Sequence, residues 1–159
     1  MSKVTKTSYP TVEAAALGGY RRILLSHPRW TDVEFGFFVF ELERDVVKQL
    51  GHEGFITREK RYHYTEPETN GSKEAISVNP LVHELPFIRA FCHTHPTNAG
   101  FSSDDFEMFK KLKRLTKGKN LKDVVVFYLM SVNQQVRRSC TEEGFMPGKT
   151  VGGLEKATP

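Results

Sequence analysis

The sequence predicts an α+β domain, a mixed β-sheet flanked by helices. Residues 33–41 form an almost unbroken apolar, aromatic and β-branched run, as expected of a strand buried on both faces. Residues 124–130 form a second such run. Helical spacing of apolar residues over 11–24 and 102–116 places helices between and before the strands, which favours one sheet covered by helices.

The 159 residues suffice for one domain with a sizeable core and fall short of two ordinary ones. Hydrophobic residues make up 38% and charged residues 26%, the balance of a globular rather than a disordered chain. A formal charge of +4 permits an acidic partner without demanding nucleic acid. Cys92 and Cys140 are the only cysteines, so no disulfide framework is implied, and reduced thiols in a cytoplasmic setting are the expected state. The start of the chain carries no long apolar segment, so neither a signal peptide nor a membrane partner is expected; export by a signal-independent secretion system would leave no mark.

In chain order, residues 1–9 read as a flexible, polar N-terminus and residues 10–140 as the domain. Pro10 and Thr11 open a helix with Val12, Ala15, Ala16, Ile23 and Leu24 on its apolar face, ended by His27-Pro28. Gly18-Gly19 within it suggests close packing. After the 33–41 strand, residues 45–50 fit either a short helix or a hairpin arm, with Gly51 and Gly54 at a turn. Residues 55–65 read as a strand, 66–73 as a loop and 75–78 as a short strand.

Residues 87–93 read as a second central strand, with Phe87, Arg89, Phe91 and His93 on one face and Ile88, Ala90 and Cys92 on the other. A loop over 96–101 leads to a helix from Ser102 to about Thr116, with Phe106, Phe109, Leu112 and Leu115 inward. Residues 124–130 and 134–140 form a hairpin across Asn133, and residues 141–159 read as a flexible tail.

The chemistry concentrates after the second central strand. His93 and His95 are two apart, so on a strand both imidazoles point to one face. Asp105 follows shortly and can add a carboxylate. Three protein ligands with an open fourth position is the arrangement of a catalytic zinc rather than a structural one. Hydrolysis at such a site also needs a carboxylate that moves protons without being a ligand. Glu34, at the start of an apolar strand where a carboxylate is costly without a role or partner, is the candidate. Gly36 leaves room beside it, and the Ser102 hydroxyl can donate to a substrate oxygen.

His93-Thr94-His95-Pro96, then Ser102-x-x-Asp105, with Glu34-x-Gly36 upstream, resembles the JAB/MPN (JAMM) zinc metallopeptidase family. The likeness is greatest to the JAB-like domains of bacterial polymorphic toxins and effectors, and spans about residues 10–138 as an order of elements. It implies the JAB/MPN (cytidine-deaminase-like) architecture, zinc held by His93, His95 and Asp105, Glu34 acting through the zinc-activated water, and Ser102 assisting the intermediate. It implies a peptidase or isopeptidase with a protein or peptide substrate, ubiquitin-like proteins among them. Ser102 follows His95 one residue sooner than in the common family pattern, which leaves open Ser103 in the serine role and Asp104 as the ligand.

Plainer readings stand beside these. Ser102 and Asp105 also form a helix capping box. His93 and His95 can be ordinary polar residues at a strand end. Lys110, Lys111, Lys113, Arg114, Lys117, Lys119 and Lys122 read first as a solvated face. Tyr62, His63 and Tyr64 read as sheet surface, and Gly152-Gly153 as a coincidence of a flexible segment. The competing functions are a non-catalytic JAB-fold binding or scaffold module, and a toxin-type metallohydrolase acting on nucleic acid.

Overall fold

The structure, a computed structural model, describes residues 4–69, 82–116 and 125–159. Two α-helices are present among them, α1 (Val12–Ser26) and α2 (Ser103–Thr116). The strands are β1 (Gly36–Leu50), β2 (Glu53–Tyr64), β3 (Ile88–Thr94), β4 (Val126–Met130), β5 (Val136–Ser139) and β6 (Lys149–Thr150). They form one six-stranded sheet in the order β2-β1-β3-β4-β5-β6. Only β3 and β4 pair in parallel, joined through α2; the other neighbours are antiparallel. The predicted α+β class with a mixed sheet is what the chain forms. No described helix is long and apolar enough to cross a membrane.

The central strands are apolar on both faces because both faces are covered. Phe37, Val39, Ala90, Cys92, Tyr128 and Met130 pack with Ala15, Leu17 and Tyr20 of α1. Phe38, Phe40, Phe91, Phe127 and Leu129 pack with Phe109 and Leu112 of α2. Each such large side chain contributes about 1.5–3 kcal/mol when fully buried. Thr11 caps α1 by accepting the Ala14 N–H at 3.1 Å. A Cβ at Gly18 or Gly19 would run into the rings of Tyr9 and Phe37, so these glycines let α1 lie directly on its neighbours.

Several boundaries differ from the sequence reading. The 33–41 strand and the 45–50 segment are one continuous strand, β1, and the hairpin arm rather than the helix is what forms. Beyond Phe40, β1 no longer pairs with β3, so β1 and β2 run on as a two-stranded arm that is mostly exposed from Glu43 onward. That exposure is why Glu43, Arg44 and Asp45 interrupt the apolar run without ending the strand. The arm turns at Gly51-His52, where Gly51 has φ 63°.

Ile88 packs on the same side as Phe91 rather than with Ala90, because the register shifts between Val39 and Phe40 and rotates the start of β3. Leu115 is 43% exposed rather than inward; the buried stripe of α2 is Asp105, Phe109, Leu112 and Thr116. The polar start of the chain lies along β2, with bridges from Val4 to Thr65 and Tyr9 to Tyr62, and Tyr9 is buried. The tail carries β6, buries Phe145 among Phe101, Phe106, Phe109 and Phe127, and is bound by Arg21, whose guanidinium donates to the Leu154 carbonyl at 2.5 Å. Its four glycines and two prolines hid these few anchoring side chains. The 75–78 strand, the start of the 124–130 strand and Lys117, Lys119 and Lys122 lie outside the described residues.

Candidate metal centre

β3 ends at Thr94, and α2 begins after a short loop. This is the end of a parallel β–α unit, where side chains from the strand and the first helical turn converge. His93 is on the last residues of β3, and His95 is held one step beyond by its N–H donating to the Met130 carbonyl at 3.0 Å. Asp105 enters from the first turn of α2. The ligand-type atoms of His93, His95 and Asp105 all lie within 4.8 Å of one another, and all three residues are buried.

The contacts inside this group are specific. His93 Nε2 stands 3.0 Å from Asp105 Oδ1, and His95 Nε2 stands 3.3 Å from Asp105 Oδ2. Two ligands on a tetrahedral zinc at 2.0–2.1 Å would be separated by about 3.3 Å. The spacing already present is therefore close to what a small cation imposes.

The protonation pattern points the same way. His93 Nδ1 is 3.0 Å from the Tyr128 carbonyl, which can only accept, so Nδ1 carries the proton. In the neutral ring Nε2 is then a bare lone pair. It is buried and makes no hydrogen bond, although Asp105 Oδ1 is near. Two acceptors facing each other in a dry site are repulsive unless a cation or proton lies between them. His95 Nε2 likewise faces the carboxylate, 3.3 Å from Asp105 Oδ2. A backbone carbonyl behind the ring, as Tyr128 provides for His93, is the usual support of a metal-ligating histidine.

The electrostatics fit a shared positive charge. Burial opposes charging of Asp105, but His93, His95 and the Ser102 amide outweigh it and hold the carboxyl far below the usual range. Burial also opposes charging of His95, yet the Asp105 carboxylate and then Glu34 raise its pKa. Without a metal, a proton on His95 sets positive charge beside the Asp105 carboxylate.

Glu34 lies just before β1 and is buried at 6% exposure, with Oε1 3.5 Å from His95 Nε2. It stands beside the group of three without belonging to it. Ser102 is the N-cap of α2: its Oγ accepts the Asp105 N–H at 3.1 Å, and its own N–H donates to Asp105 Oδ2 at 2.7 Å. The capping box thus orients the carboxylate that joins the cluster, so the capping and ligand readings coincide. Asp104 and Ser103 are exposed, and Asp105 is the residue turned inward.

Of the predicted site residues, the fold brings together Glu34, His93, His95 and Asp105, with Ser102 bonded to the last. Reasoning from sequence missed the Tyr128 carbonyl, which no sequence signal marks. It also missed Tyr20, whose hydroxyl donates to the His93 carbonyl at 3.0 Å. Among the basic residues of α2, Lys110 pairs with Glu107 at 2.8 Å and Lys113 approaches Glu142 at 3.9 Å, as on a solvated face. Compared with protein-family models, curated proteins and solved structures, the chain matches none.

Proposed function

We propose that this chain is a zinc-dependent hydrolase of JAB/MPN type, cleaving a peptide or isopeptide bond. The observation that carries the reading is the buried His93–His95–Asp105 group, with both Nε2 atoms turned onto one carboxylate and Glu34 alongside. Two imidazoles and a carboxylate suit zinc and leave a coordination position for substrate or water. Zinc bound there would supply Lewis acidity and an activated water.

The chain's own residues take the remaining roles. His93 and His95 bind through Nε2, and the Nδ1 proton of His93 is held by the Tyr128 carbonyl. Asp105 completes the set, steered by Ser102. Glu34 takes a proton at its carboxylate and returns it to the leaving amine. The Ser102 hydroxyl, whose oxygen already caps α2, keeps its proton for donation to a substrate oxygen. A JAB/MPN architecture, with a protein or peptide substrate that includes ubiquitin-like tails, is the finer form of this proposal.

The test is metal analysis coupled to a peptide-library assay. Purified protein is expected to carry about one zinc per chain. His95→Ala should lose both metal and activity, and Glu34→Gln should keep the metal and lose activity. Failure to take up zinc, or a Glu34→Gln protein as active as the parent, would remove the assignment.

A further inference from the structure

We propose that Thr94, between the two histidines, is a positioning residue whose hydroxyl sets the place of Glu34 relative to the metal-ligating group. The inference rests on the role given to Glu34 above. It concerns a residue that is neither a ligand nor a proton carrier.

The stretch from Glu34 to Gly36 enters the sheet between two flanks. On one flank, Gly36 and Glu68 exchange both backbone bonds at 2.8 and 2.9 Å, and Thr69 Oγ1 donates to the Glu34 carbonyl at 2.5 Å. On the other flank is the histidine-bearing strand, with Gly36 opposite His93. One step earlier the ladder changes character. The Thr94 N–H donates to the Phe35 carbonyl at 2.9 Å, as a strand would. The Phe35 N–H, however, donates to the Thr94 side chain, Oγ1, at 3.0 Å.

A single residue therefore closes the ring with both its backbone and its hydroxyl. Thr94 is wholly buried, so no solvent can take the place of Oγ1. Valine would fill the same volume and suit the same strand, but it would leave the Phe35 amide without an acceptor. Thr94 is covalently adjacent to His93 and His95, and Phe35 to Glu34. The hydroxyl is thus a short link from the ligand-bearing backbone to that of the acid, and it acts on Glu34 without touching the cation.

The experiment uses the cobalt-loaded full chain and follows the pH profile of its visible absorption. Glu34→Gln should move the midpoint by about one pH unit, the size expected when a charge beside a titrating centre is removed. Thr94→Val should bind cobalt with unchanged stoichiometry and move the midpoint in the same direction. Thr94→Ser, which restores the hydroxyl, should superimpose on the parent. A Thr94→Val profile identical to the parent, with Glu34→Gln shifted, overturns this inference and leaves the assignment of Glu34 standing. An unshifted Glu34→Gln profile, or no cobalt uptake, overturns the reading on which it rests and the inference with it. Hydrogen exchange of the Phe35 amide in the unsubstituted protein needs no variant to fold: slow exchange is expected, and exchange at the rate of an exposed amide overturns the link.

Discussion

His93 Nε2 and Asp105 Oδ1 stand 3.0 Å apart in a buried site, one from the end of β3 and the other from the first turn of α2. Neither position is chosen by packing alone. The His93 ring is fixed from behind by the Tyr128 carbonyl at 3.0 Å, and Asp105 by the Ser102 amide at 2.7 Å. Each group is aimed at the other by a bond that leaves its metal-facing atom uncommitted. An arrangement built only for stability would more cheaply place apolar groups here.

The capping box gives a prediction that separates stability from ligation. Ser102→Ala removes the acceptor of the Asp105 N–H and should cost about 0.5–2 kcal/mol in chemical denaturation. Asp105 keeps its carboxylate and both histidines, so zinc stoichiometry should be unchanged. Loss of metal without loss of stability in this variant would mean that Ser102 itself, rather than its cap, serves the site.

The close approach of α1 to the sheet is tested at Gly19. A methyl group there meets the Phe37 ring, which is itself buried under Tyr20. Gly19→Ala normally favours a helix by nearly 1 kcal/mol. Here it should instead destabilise, by about 1–3 kcal/mol of overpacking. A raised melting temperature would show that α1 lies farther from β1 than described.

Much of this was readable in the residues. The apolar runs marked the sheet interior, and the His-x-His spacing followed by Ser102 and Asp105 marked the cluster. Glu34 was visible as an acid at the head of an apolar strand. What sequence hid has physical causes. The far end of β1 is largely exposed, so residues 45–50 lack the alternation that would have told a strand from a helix. The shift at Phe40 turns Ile88 to the other face, which no periodicity foretells. The support of the His93 ring comes from a backbone carbonyl, an acceptor that every residue carries. The anchoring of the tail rests on Phe145 and on Arg21 from α1, distant in sequence.

A pH prediction follows from His95. Its pKa is raised, because Asp105 and Glu34 outweigh the effect of burial. A raised value means that the protonated ring stabilises the metal-free fold fully below about 6.5, the unfolded reference, and that this contribution fades as pH rises through the folded value. Zinc requires the ring neutral, so protons compete with the metal over the same window. The rise in melting temperature produced by a fixed excess of zinc should therefore grow between about pH 6 and 8. The depressed Asp105 titrates far below this range and does not contribute to the trend. A zinc effect that is flat across the window would place the metal on groups other than these histidines.

The central claim is that four side chains, from the head of β1, the end of β3 and the first turn of α2, gather around one cation. Anomalous diffraction at the zinc edge, on crystals of the zinc-loaded chain, tests it most directly. The account predicts one strong peak bonded to His93 Nε2, His95 Nε2 and an Asp105 oxygen at about 2.0–2.2 Å, with the Glu34 carboxylate facing it from beyond bonding distance. No peak at that position, or one that takes Glu34 as a ligand in place of Asp105, would contradict it.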